Sequence, residues 1–502
     1  VSCGRRRALW GLAFLVTAQL GCATLPACPA KGGPAWLELT SDHFVMRTDM
    51  EEPAALVVLR RMEDARAAML AMVWRHAPDP AGRVQVFALA SQEEVAFYTG
   101  PSFVALHLRT PPFPPTVLLS GAERASELVG NHELAHALSL QLLPLQPAWF
   151  AEGTAEYLST IHREHGDHGA VVAGDAQVDD YVVVRVFGVV SLDTLLGPVP
   201  KTKDEQDRFY ATSWMLVHYL INARPHQLDA FQARLAALEP AAKAFRAEFP
   251  DLAGGRLETV LKTYAFSGKY TVLTRPLPAW NGRYQSRRLS DAEVHASRAV
   301  IATMVGAGYA QGPGWVTAAR ADVAEALQDP RPPIEAFVLP FYEPRLAPGL
   351  SRAQLARRAL EVHPEHWMAW WLAAEVADHG STARYHAVER ALQLNPLATD
   401  PLEAHAWDLA LQSRWHETLA ITNEILPDGA LRHDVWVLHL EALMNTGHCR
   451  EAALWGSALQ GFLNRTEARE ISGLLATGTC AQPIRPAPEA SQAAGAHAGE
   501  GP

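Results

Sequence analysis

The chain has 502 residues, 49% of them hydrophobic and 19% charged, a balance that excludes a mainly disordered polymer. At roughly 150 residues per domain, its length points to two or three domains. With 43 Lys and Arg against 54 Asp and Glu the formal net charge is −11, which repels a phosphate backbone and excludes nucleic acid as an expected partner. Five cysteines are too few for a disulfide scaffold and contain no CxxC pair of a zinc ribbon.

In chain order, Arg5, Arg6 and Arg7 precede an uncharged stretch from Ala8 to Gly21. That stretch is shorter than the about 20 residues a membrane-spanning helix needs, so residues 1–21 read as an export signal. Gln19-Leu20-Gly21-Cys22 resembles a bacterial lipobox. Cys22 is therefore the expected lipid attachment site and the expected contact with a membrane in the bacterial cell envelope, with plain secretion as the alternative. Residues 22–35, rich in Ala, Pro and Gly, read as the lipidated N-terminus and a linker lifting the body off that membrane, and Cys28 has no evident partner.

Strands are expected at 36–39 and 43–46, a helix from Pro53 to Trp74, and further strands at 83–89 and Thr116–Leu119. Apolar residues then recur at helical spacing from about Ser126 to Leu143. Pro144 and Pro147 end that helix and introduce another from Ala148 to about Ile161. Tyr181–Phe187 alternates like a strand, and helices resume near Gln206 and dominate the rest.

Past residue 290 the segments Ala359–Pro364, Ala391–Pro396 and Thr422–Pro427 place proline at intervals of 32 and 31, each followed by a helix bearing Trp367, Trp407 or Trp436. This resembles the tetratricopeptide repeat, whose stacked helix pairs offer a surface for a protein partner; a plain helical bundle is the alternative. Cys449 and Cys480 bracket the last helical stretch and suit either a disulfide in an oxidising compartment or two buried thiols. Residues 481–502 read as a disordered tail.

His132-Glu133-Leu134-Ala135-His136 is an HExxH motif on a predicted helix. A spacing of four puts both imidazoles on one face, where they can share one Zn2+, while Glu133 points to the neighbouring face as a base for water. In the next helix, Glu152 and Glu156 are also four apart, and like charges at that spacing cost a few tenths of a kcal/mol unless a cation offsets them. Gly153 between them costs about 1 kcal/mol relative to Ala, which close packing against the metal-bearing helix could offset. Ligation by His132, His136 and Glu152 leaves a fourth position open, as a catalytic zinc site requires.

Trp149, Glu152, Gly153, Ala155 and Tyr157, following His132, Glu133 and His136, resemble the gluzincin zinc metallopeptidases, and most closely the peptidase MA-like bacterial lipoproteins. The resemblance implies an α+β fold with a small mixed sheet and a helical zincin-like catalytic domain over 36–280, followed by an all-α repeat domain over 290–480. It implies zinc ligands His132, His136 and Glu152, Glu133 as catalytic base, and Glu156 hydrogen-bonded to a ligand histidine. It also implies a donor to the oxyanion, for which Tyr210 is the candidate and His218 an alternative; Tyr210 reads equally as a core aromatic. The amino-terminus anchor of the family's aminopeptidases has no counterpart in Thr116–Gly121, so an endopeptidase acting on a peptide or protein substrate is expected. The edge formed by that segment would pair with extended substrate. His162, His165 and His168 with Asp167 read as a solvated loop. The rival to an enzyme is an envelope scaffold that binds partners through its repeats.

Overall fold

The computed structural model describes residues 25–480, apart from 101–102, 122–123, 165–168, 177, 268–269, 309–313, 430–431, 460–462, 464 and 479. Its centre is a mixed sheet of β1 (Leu37–Thr40), β2 (Phe44–Thr48), β3 (Val84–Leu89), β4 (Ala105–Leu108), β5 (Thr116–Ser120) and a later strand, Gln285–Arg288. From edge to edge the order is β4, β5, β3, β2, β1 and then the later strand. β2, β3 and β5 run parallel, joined by crossovers through α1 (Glu52–Met72) and α2 (Gln92–Thr99). The outer pairings are antiparallel.

Because side chains alternate along a strand, β3, β4 and β5 feed two cores. Met46, Val86, Ala88, Val117 and Leu119 meet α1 and α3 (Arg124–Leu142) on one face. Phe87, Leu89, Leu106 and Leu118 face the other way, onto helices from Asp291–Gly308 and Gly314–Ala326. All six residues of β3 are buried, as a central strand between two helical layers requires.

After α3 come α4 (Ala148–Ser159), a small sheet of β6 (His162–Arg163), β7 (Val171–Ala173) and β8 (Leu273–Arg275), and helices α5 (Val178–Phe187), α6 (Leu192–Leu195), α7 (Lys203–Ala223), α8 (Pro225–Ala236), α9 (Ala241–Glu248) and α10 (Leu257–Ser267). The Gln285–Arg288 strand, β9, pairs with β1. The two helices of the second core are α11 (Asp291–Gly308) and α12 (Gly314–Ala326). From Glu335–Tyr342 to Arg465–Thr477 the chain is a succession of helices, most packed against the next. Cys449 and Cys480 are joined by a disulfide with their Cα atoms 5.4 Å apart, closing the last of these helices onto the array. Among the described residues no helix is long and apolar enough to cross a membrane.

Four features differ from expectation. Tyr181–Phe187 lies in the helix α5, packed on α7 and α10 with Val184 buried. The β preference of valine spans only about 1 kcal/mol and yields to that packing. α2 and β4 were not foreseen, and their presence makes Thr116–Ser120 an interior strand, so the sheet edge beside the HExxH helix is β4. Gly153 serves contact with α7 rather than with α3: a Cβ there would run into the Ser213 carbonyl and the Val217 side chain. The described part of the expected linker, from Leu25 onward, is docked on the body, with Cys28 3% exposed inside the α11 core.

Candidate metal centre

α3 and α4 form an antiparallel pair whose register is fixed at both ends. At the turn between them, the Gln146 side chain donates to Ser139 Oγ (2.9 Å). At the far end the Asn131 amide donates to the carbonyls of Ser159 and Ile161 (3.1 and 3.2 Å), satisfying groups that the end of α4 leaves open. Trp149 and Phe150 hold α4 from behind in an aromatic cluster with Phe231 and Phe245. The facing side chains therefore rest on rigid elements.

On the facing surfaces His132 Nε2 and His136 Nε2 are 3.0 Å apart, and Glu152 Oε2 lies 3.8 Å from the first and 3.5 Å from the second. Two ligands 2.0–2.1 Å from a common tetrahedral Zn2+ are about 3.3 Å apart, so the three donors fit one ion. The set also has the chemistry such an ion needs, two imidazoles and one carboxylate within 4.8 Å of one another. Burial and the neighbouring His136 push the His132 imidazole down to about 3, keeping it neutral as a ligand must be. For His136 burial acts downward, but the hydrogen bond and charge of Glu152 win and raise its pKa. Burial acts upward on Glu152, and His136 outweighs it, leaving the carboxylate below its usual range.

The expected surrounding groups are also placed. Glu156 Oε1 lies 3.4 Å from His132 Nδ1, the nitrogen turned away from the other donors. Burial, then the charges of Asp180 and Glu152, push Glu156 up to about 8. Glu133 points toward β4, where its Oε2 accepts the backbone N–H of His107 (2.8 Å). Burial raises its pKa against the pull of His136 and that N–H. Tyr210, on α7, is half-buried; burial raises its pKa and the charges of Glu152, Asp207 and Glu156 add to the rise. His218 is fully buried and committed elsewhere: its Nε2 donates to Gly174 O (3.0 Å) and its Nδ1 faces the Tyr264 hydroxyl (2.8 Å). It is a core residue, not an oxyanion donor.

Nothing in the sequence marks His107. Ser120 N–H donates to Val104 O (3.3 Å), so in this antiparallel pair the backbone groups of residues 105 and 107 turn away from β5. His107 uses its outward N–H on Glu133, and its own Nε2 is buried with no partner among the described residues. A main-chain donor leaves no mark on residue identity, so only the position of β4 could have revealed it. His162 Nδ1 lies 3.5 Å from Asp175 Oδ2, while His165, Asp167, His168 and the lipidation candidate Cys22 fall outside the described residues. No protein-family model and no curated protein matches this chain.

Proposed function

We propose that the protein is a zinc-dependent metallopeptidase of the gluzincin kind, exported and lipid-anchored at Cys22, with helices after residue 335 forming a tetratricopeptide-like array. The observation that carries this reading is the convergence of His132 Nε2, His136 Nε2 and Glu152 Oε2 within 3.0–3.8 Å across two helices. When bound there, Zn2+ supplies a Lewis acid that polarises a carbonyl and acidifies water.

The chain's own groups supply the rest. Glu156 holds Nδ1 of His132 and fixes the tautomer that leaves Nε2 for the ion. Glu133, steadied by His107 N–H, takes the proton of the attacking water and passes it to the amine nitrogen as the C–N bond breaks, ending in its starting state. Its raised pKa brings a buried carboxylate closer to the working range of such a base. The Tyr210 hydroxyl is the donor to the carbonyl oxygen as it gains charge, a contribution of a few kcal/mol. An extended substrate would add to the β4 edge at the outward-facing carbonyl of His107, which favours an endopeptidase.

Glu133→Gln tests the reading. Zinc should stay near one per chain while cleavage of a fluorophore-labelled, denatured protein falls by about 10²–10⁴-fold. Unchanged cleavage would remove Glu133 from its role. The rival, a partner-binding scaffold built on the helical array, predicts no zinc-dependent turnover at all and is separated by metal analysis before and after chelation.

A further inference from the structure

The segment just after the expected lipid site is built into the second core. Arg298 of α11 donates from one guanidinium nitrogen to Cys28 Sγ (3.2 Å) and from the other to Pro26 O (2.8 Å). The Ala30 N–H meets both carboxylate oxygens of Asp291 (3.0 and 3.1 Å), and Lys31 Nζ lies 3.8 Å from Glu325 on α12. Lys31 N–H and Gly33 N–H both return to Cys28 O (2.9 and 3.1 Å), closing a compact hook. Leu25, the first described residue, already packs on the α11 core.

Three residue steps separate Cys22 from Leu25, and fully extended they span about 10 Å. A helix with its side chains is itself about 10–12 Å across. An anchor on so short a lead stays on the side of the molecule where α11 and α12 lie. α3, with His132 and His136, packs on the opposite face of the sheet through Leu134, Ala135 and Leu138.

We propose that residues 25–33 are a rigid bracket, not a flexible tether, and that they seat the α11–α12 face on the lipid surface with the metal centre turned away from it. This rests on the reading of Cys22 as the lipidated residue. The sheet and one helical layer then stand between the centre and the bilayer. Its substrates are accordingly polypeptides arriving from the aqueous side, not segments embedded in the lipid.

The test uses the full-length lipoprotein in phosphatidylethanolamine–phosphatidylglycerol vesicles containing a headgroup-spin-labelled lipid. A fluorophore is placed at Ala321→Cys on the exposed side of α12 or at Val57→Cys, an exposed position on α1 in the layer of α3. Every chain also carries Cys28→Ser, which keeps an acceptor for Arg298, so these are the reactive thiols, Cys449 and Cys480 being bonded to each other and Cys22 carrying the lipid. Quenching at 321 should exceed that at 57 at least twofold. Arg298→Ala should bring the two together, and the milder Asp291→Ala, at the exposed end of the hook, should narrow the gap if the first variant fails to fold. Equal quenching at the two positions, stronger quenching at 57, or a difference that survives both variants overturns the bracket. Mass spectrometry of the N-terminal peptide separates the failures: no acyl group on Cys22 sinks the anchor and the orientation together, whereas an acylated Cys22 with equal quenching sinks the orientation alone.

Discussion

Two clusters of buried charge sit on this scaffold and are built on opposite terms. At the β1 side, Arg47 is gripped by Glu38 (2.9 Å) and Glu335 (2.8 Å), and Arg287 completes the ring by bonding Glu38 (2.8 Å) and Glu293 (2.7 Å). Burial acts upward on Glu335, yet Arg47 holds its carboxyl below the usual range. At the α3–α4 pair burial acts upward on Glu133, Glu152 and Glu156; histidines pull against it on Glu133 and outweigh it on Glu152, while the charges of Asp180 and Glu152 help drive Glu156 up to about 8. The first cluster carries its own cations and needs nothing more. The second brings carboxylates together around two imidazoles, an arrangement that a divalent cation would complete.

The sharpest break of this contrast is Arg47→Ala. It leaves Glu38 and Glu335 facing each other without their shared partner, and removing one member of a buried pair costs about 3–5 kcal/mol. Calorimetry should show a large fall in unfolding temperature that added zinc changes no differently from wild type. The second cluster behaves the other way. With free zinc a thousandfold above Kd, the wild type should gain about 4 kcal/mol, lost entirely on chelation. Glu152→Gln should fold with an apo stability near that of the wild type and gain little from zinc. If zinc raises the unfolding temperature of both chains equally, the ion binds somewhere other than this centre.

Below that in size stands Glu156→Gln. A group that orients a ligand histidine from behind typically carries about 10–100-fold in metal affinity. Competition with a fluorescent zinc chelator should show that loss while the stoichiometry at saturating zinc stays at the wild-type value. An unchanged affinity would make the 3.4 Å approach of Glu156 to His132 incidental.

The two clusters also differ in how far the sequence alone exposes them. His132, His136, Glu152 and Glu156 were legible because each pair is one helical turn apart and two prolines mark the turn between the helices. Nothing local announces that Arg47 will meet Glu335, since the partners come from a strand near one end of the chain and a helix in its far half. β4 escaped because four residues carry too little periodicity, and what His107 gives Glu133 is a backbone proton. The hook at 25–33 is hidden from the sequence for a related reason. Pro, Gly and Ala describe a linker well, and the groups that pin it, Asp291, Arg298 and Glu325, belong to helices elsewhere in the chain.

The smallest expected effect concerns that hook and follows from pH. His295 on α11 faces Asp322 of α12 (2.6 Å) and, more distantly, Cys28 Sγ (3.8 Å). The hydrogen bond to Asp322, then that to Cys28, lifts the imidazole to about 9. A group whose pKa is higher in the folded state contributes its full stabilisation below its unfolded value of about 6.5 and loses it as pH climbs through the folded value. The seat beneath Cys28 should therefore loosen between about pH 6.5 and 9. The readout is the rate at which a small thiol reagent labels Cys28, corrected for the reagent's own thiolate dependence with a model thiol. An excess rise across this interval that His295→Gln abolishes locates the effect in the pair. A corrected rate flat with pH would mean that Arg298 alone holds the thiol in place.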